Sequence, residues 1–129
     1  MASRQRIAEK YLSELGPLVE HLESPPQFED RGQAWHLFII KLNLERWKIG
    51  RDRFIKELTK LGVGCGVHYI PLHHFSAYEK ILRIPSGELY HTEKAYNRVV
   101  SLPLYPELKR SEIRIVCQAI EVLIGRYGK

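Results

Sequence analysis

The chain has 129 residues, of which 44% are hydrophobic and 27% are charged, which is typical of one globular domain and argues against disorder. Its longest apolar run, residues 37–40, is far shorter than the ~20 residues of a membrane-spanning helix. No basic and apolar leader opens the sequence. We therefore expect a cytoplasmic protein without a membrane partner. The formal net charge is +5, but the basic residues, densest over residues 46–60, alternate with acidic and apolar ones. Because nucleic-acid binding needs a basic patch on one face, we do not expect a nucleic-acid partner.

The two cysteines, Cys65 and Cys117, lack the spacing of a metal site. Cys65 stands between two glycines in an apolar segment, and Cys117 lies on the apolar face of a predicted helix. We therefore expect both to be small buried side chains in a protein from a reducing compartment.

The first segment predicts a helix followed by a linker. Apolar residues recur at helical spacing over residues 4–15, and Gly16-Pro17 ends the run. Residues 23–33 are rich in proline, glycine and charge, which is typical of a loop. We therefore divide the chain into an N-terminal linking helix, residues 1–24, and a domain, residues 25–129.

The rest of the chain predicts strands and helices in alternation. Residues 34–42 predict a central strand, because apolar residues occupy both of its faces. Residues 52–61 predict a helix that ends at Gly62. The remaining predicted elements are a second strand over 63–69, a short helix over 75–82, a helix from Thr92 whose inner face includes Val99, a third strand over 101–105 that Pro103 interrupts, and a closing amphipathic helix from Ser111.

These elements predict an α+β fold in which helices pack on a small, mainly antiparallel three-stranded sheet, preceded by the linking helix. A helix joins the first two strands, which favours strands that run in the same direction. We place the third strand between them, antiparallel to both.

Three histidines, His68, His73 and His74, cluster beside Tyr69. Imidazoles can bind a transition metal, but Cys65 is the only thiolate or carboxylate ligand nearby, so we predict no metal site. A structural role, with the rings bonded to backbone groups, stays open. So does a ligand-facing role, because imidazole and phenol groups at a strand end can form hydrogen bonds with a polar substrate.

The sequence contains no complete catalytic centre. Residues 62–66 carry three alternating glycines, but a phosphate loop follows a strand and precedes a helix, and here the order is reversed. There is no Gly-x-Ser-x-Gly motif, and none of the lysines has the apolar context of a Schiff-base lysine. We therefore predict neither catalytic nor cofactor-binding residues in this chain.

Four segments together resemble a known family. They are Ala-Trp-His-Leu-Phe-Ile-Ile (34–40), Arg-Asp-Arg-Phe-Ile (51–55), Gly-Val-His-Tyr-Ile-Pro-Leu-His (66–73) and the run Glu-Lys-Ala-Tyr-Asn-Arg-Val-Val-Ser-Leu-Pro-Leu-Tyr-Pro (93–106). In this order, and followed by an amphipathic helix, they closely resemble the C-terminal small domain of the DegT/StrS-type nucleotide-sugar aminotransferases. The resemblance runs from about residue 4 to residue 124.

The resemblance implies a pyridoxal-phosphate enzyme of the aspartate-aminotransferase fold, whose cofactor and covalently bonding lysine belong to a large N-terminal domain. That domain, or self-association through the face left exposed, is then the expected partner. His68, Tyr69 and His73 would contact the nucleotide-sugar substrate without transferring protons. The chain alone should be inactive, so whether it counts as an enzyme stays open. The alternative is a free-standing binding or assembly module that kept the fold and lost the chemistry.

Overall fold

The computed structural model describes residues 2–85 and 87–129. Short 3-10 turns lie at Gly16–Leu18, Leu44–Arg46 and Leu72–His74. Within the described part of the chain, no helix combines the length and apolarity that crossing a bilayer requires. The helices and strands are α1 (Ala2–Leu15), β1 (Leu22–Glu23), β2 (Phe38–Leu42), α2 (Arg51–Lys60), α3 (Ser76–Leu82), α4 (Tyr90–Tyr96), β3 (Val99–Leu102) and α5 (Arg110–Tyr127).

The strands form an antiparallel sheet in the order β1-β2-β3. Leu22 pairs with Leu42, and Phe38 pairs with Leu102. Phe38, Ile40 and Leu42 are fully buried, whereas Lys41 between them is exposed, so β2 is buried mainly on one face. The predicted α+β class with a small antiparallel sheet and a leading helix is confirmed.

The sheet differs from the prediction in the identity of one of its three strands. Residues 63–69 form no strand and meet β3 through one antiparallel bridge between Gly66 and Ser101. β3 therefore lies between β2 and this segment, as expected, but pairing stops there because glycines at alternate positions weaken a strand and Pro71 cannot donate a ladder hydrogen bond. The third strand is instead β1, in a segment that the sequence assigned to the linker and loop.

Two element boundaries also moved. β2 begins at Phe38 because Trp35, inside the predicted strand, has a positive φ of 41° that takes the backbone out of the extended region. α4 begins at Tyr90, before Thr92, and Val99 is the first residue of β3. Gly62 follows α2 with a φ of 83°, which confirms its predicted part in ending that helix.

The core lies where α1 and α5 pack together against the sheet. α5 buries Ile113, Val116, Cys117 and Ile120, as the prediction of a closing amphipathic helix requires. α1 contributes Tyr11, whose side chain is fully buried with its ring 4.9 Å from that of Phe38. The leading helix is thus part of the same core as the sheet.

Tyr11 also makes a polar contact across the core. Its hydroxyl donates a hydrogen bond to the carbonyl of Pro103, at 3.0 Å, and so joins α1 to the segment that follows β3. Burial is the main cause that raises the pKa of Tyr11 well above its usual range, so the hydroxyl keeps its proton and remains a donor.

We expect Tyr11→Phe to lower the free energy of unfolding by about 1 kcal/mol, because the Pro103 carbonyl loses its donor while the ring packing is kept. Urea unfolding followed by circular dichroism measures the change. Tyr90→Phe, at a residue that is 57% exposed, is the matched control and should leave stability unchanged. Equal stability of the two variants would show that the Tyr11 hydrogen bond contributes nothing.

Candidate functional site

The third and fourth motif segments, residues 66–73 and 93–106, meet at Gly66 and Ser101. The amide of Ser101 donates to the Gly66 carbonyl at 2.8 Å, and the amide of Gly66 donates to the Ser101 carbonyl at 3.2 Å. This closed pair of hydrogen bonds places the start of segment 66–74 beside β3.

His68 is held by a residue of the neighbouring strand β3. Its Nδ1 lies 2.8 Å from the hydroxyl of Ser101, which is only 4% exposed. The neighbouring Tyr69 is 74% exposed, and its ring meets that of His68 edge-on with centroids 5.0 Å apart. The site therefore presents an oriented imidazole next to a phenol that projects into solvent.

His73 lies in a different environment from His68 and Tyr69. The described hydrogen bonds join its Nε2 to Oε1 of Glu93, on α4, and the Nε2 of His74 lies 2.7 Å from the same oxygen. The hydrogen bond with His73 is the largest cause that lowers the pKa of the Glu93 carboxyl below its usual range, and the hydrogen bond with His74 is the next largest. The structure thus brings His68 and Tyr69 together, whereas the described partners of His73 are His74 and Glu93.

Glu93 is the residue that sequence reasoning did not recognise as a member of the site. It is 20 residues from His73 along the chain, so no local spacing links the two. The only feature of the sequence that could have indicated Glu93 is its position at the start of the fourth motif, residues 93–106. The turn at Leu72–His74 and α4 bring the two segments together.

Three nucleophilic side chains, those of Ser101, Cys65 and Cys117, are poorly placed for catalysis. Ser101 faces His68 but is buried. Burial raises the pKa of Cys65 to about 11 and, as the largest of several causes, that of Cys117 to about 12, so both stay thiols at neutral pH. These three side chains therefore support neither acyl-transfer nor thiol chemistry.

Among the lysines whose side chains the structure describes, none is buried. A cavity of about 670 Å³ lies between α1 and the start of α5 and is lined by Lys10 and Lys109 but by no histidine. Lys10 is ion-paired with Glu14. The described residues thus do not fit a pyridoxal-phosphate site, which needs a desolvated lysine.

The sequence profile of the DegT/DnrJ/EryC1/StrS aminotransferase family matches residues 1–121, and the chain belongs to that family. Among its relatives, the uncharacterized protein MJ1066 of Methanocaldococcus jannaschii is 36% identical over 122 residues, which are 95% of this chain and 31% of that protein. The chain therefore spans about a third of the length of this curated relative.

Solved structures of aminotransferases are similar to this fold. DesV of S. venezuelae, solved with a ketimine intermediate, is 30% identical with a TM-score of 0.81, over 94% of this chain and 31% of that chain. The NtdA protein of Bacillus subtilis, solved with the cofactor PMP bound, is 29% identical with a TM-score of 0.77, over 95% of this chain and 28% of that chain. The family's enzymes are pyridoxal-phosphate-dependent aminotransferases of sugar biosynthesis.

We expect a double-mutant cycle of His68→Ala and Ser101→Ala to give a coupling energy of about 0.5–1.5 kcal/mol, because each change removes one side of the same hydrogen bond. Unfolding in urea supplies the free energies. Ser101→Ala combined with His91→Ala, at an exposed histidine of α4, is the control and should be additive. Additivity in both cycles would show that Ser101 does not hold His68.

Proposed function

We propose that this chain acts as the C-terminal small domain of a pyridoxal-phosphate-dependent nucleotide-sugar aminotransferase in the cytoplasm. In this proposal residues 1–24 link it to a large domain, and residues 25–129 form one wall of the substrate pocket. The observation that carries the proposal is the family match over residues 1–121, combined with a chain that spans about a third of its relatives.

His68 and Tyr69 are the proposed contacts for the sugar. An imidazole oriented by Ser101 and an exposed phenol can both form hydrogen bonds with hydroxyl groups. His73 joins them as a proposed substrate contact through its position in the same segment, although Glu93 occupies its Nε2. These side chains would bind and orient substrate, while proton transfer is left to groups outside this chain.

The cofactor is the part of the reaction that the described residues do not supply. Transamination relies on the electron sink of pyridoxal phosphate and on a lysine that bonds to it. Since no described lysine side chain is buried, we assign the cofactor to the large domain.

An exposed apolar surface supports the proposal that a partner docks on this domain. Tyr69, Ile70, Leu72, Phe75 and Tyr78 are each between 42% and 74% exposed within one short segment. Exposed apolar patches of this kind commonly mark interaction sites. The large domain, or a second copy of the chain, is the proposed partner.

The chain alone should not catalyse transamination. With pyridoxal phosphate, an amino donor and a nucleotide keto-sugar, we expect no amino-sugar product by mass spectrometry, because no described lysine is desolvated. Borohydride reduction followed by peptide mapping should find any cofactor scattered over several surface lysines, with the urea-unfolded chain as the control. Stoichiometric labelling of one lysine in the folded chain only, or measurable product, would overturn the proposal.

The second candidate is a free-standing module that binds nucleotide-sugars or assembles with itself. The buried core that α1, α5 and the sheet share favours it, because such a core can support an independently folded unit. The coding DNA upstream of Met1 separates the two: an in-frame large domain supports the leading proposal, and a stop codon supports the module.

Titration with a UDP-sugar tests the module directly. Saturable NMR shifts at His68 and Tyr69, lost in His68→Ala and kept in His91→Ala, would favour a binding module. Unchanged spectra would favour a domain that binds substrate only with its partner.

A further inference from the structure

Three potential metal ligands converge where the turn Leu72–His74 meets α4. One ring nitrogen each of His73 and His74 and a carboxylate oxygen of Glu93 lie within 4.8 Å of one another. All three are reachable from solvent: their side chains are 20%, 33% and 38% exposed, respectively. A metal ion could therefore enter the cluster, and water could complete its coordination.

The spacing suits a first-row transition metal. In a tetrahedral zinc site, bonds of about 2.0–2.1 Å separate neighbouring ligand atoms by about 3.3 Å. The His74 Nε2 to Glu93 Oε1 distance of 2.7 Å is shorter than that value, and no separation in the cluster exceeds 4.8 Å. Side-chain rotations that move these atoms by about an ångström would open the cluster to the required size.

Backbone hydrogen bonds fix the segments that carry the three ligands. The amide of His74 donates to the Pro71 carbonyl at 3.0 Å, and the amide of Glu93 donates to the Leu89 carbonyl at 3.0 Å. The ring of Tyr96, one helical turn after Glu93, meets the His74 ring edge-on with centroids 5.2 Å apart. The chain thus positions the ligands in advance, which lowers the entropy lost when they bind an ion.

We propose that His73, His74 and Glu93 form a three-ligand site for a divalent transition metal of the zinc type. Two imidazoles and one carboxylate are the donors that zinc, cobalt and nickel accept, whereas magnesium and calcium prefer oxygen ligands alone. This site reverses the expectation of no metal, because its carboxylate comes from α4 and not from the histidine segment. The geometry that supports it does not depend on the proposed aminotransferase function, although His73 would belong to both sites.

Bound metal would fasten the turn that carries His73 and His74 to α4. The two segments are now joined there by hydrogen bonds to one oxygen of Glu93. A metal would replace these bonds with coordination and would commit His73 to the ion. Its occupancy would then decide whether His73 is available to a substrate.

Calorimetric titration of the untagged, folded chain with zinc chloride tests the proposal. We expect saturation at one equivalent, a cobalt complex with visible absorbance of the tetrahedral type, and zinc-dependent NMR shifts of the His73 and His74 imidazoles. Glu93→Gln and His74→Gln should each weaken zinc binding by about tenfold or more, because each removes one ligand. His91→Ala and Glu88→Gln, at exposed residues close to the cluster in sequence, are the controls and should bind zinc normally.

Circular dichroism checks that each variant is folded, and the imidazole shifts of the unmodified chain provide a readout that needs no variant. Absence of saturable binding overturns the proposal. So does zinc binding that Glu93→Gln and His74→Gln leave unchanged, or binding that Cys65→Ala abolishes, since the ion would then lie at the thiol.

Discussion

The hydrogen-bonded edge of β3 at Ser101 is the constraint on which the site depends. Ser101 pairs with Ile39 of β2 on one side and with Gly66 on the other. Its hydroxyl lies at hydrogen-bonding distance from His68. One buried residue therefore joins the central ladder, the backbone of the 66–74 segment and a proposed substrate contact, so a shift of β3 would move the site with it.

Stability and recognition belong to different side chains of this small domain. The apolar residues of α1, α5 and the inner face of β2 are buried, and Tyr11 links the leading helix to the chain beyond β3. The segment that follows Gly66 instead exposes Tyr69, Leu72 and Phe75. These side chains add little to the core of the domain, and they form the docking surface proposed above.

The cluster of His73, His74 and Glu93 links that exposed segment to the body of the domain. Without a metal, Glu93 accepts hydrogen bonds from both rings, and with one it would share an ion with them. Either way, the position of the segment depends on a carboxylate from α4. The same cluster therefore bears on the proposed substrate contact at His73 and on the placement of the proposed docking surface.

Local periodicity predicted the helices well but the sheet less well. The helices α1, α2 and α5 were predicted correctly because a helix buries one face at a regular spacing, which each segment carries in its own sequence. The predicted strand over 63–69 failed because a strand exists only through its partners, and the alternate glycines and Pro71 left one bridge at Gly66. β1 is only two residues long and could not be recognised without the edge of β2 that it pairs with.

The amino-acid sequence by itself determined the α+β class, through composition and periodicity, and the family resemblance, through four motifs in a fixed order. Tertiary structure alone decided that Ser101 orients His68 and that Glu93 binds His73 and His74. Those contacts join residues 33, 20 and 19 positions apart. Such distances are closed by the packing of β3 and α4 against the rest of the chain, and no local pattern encodes them.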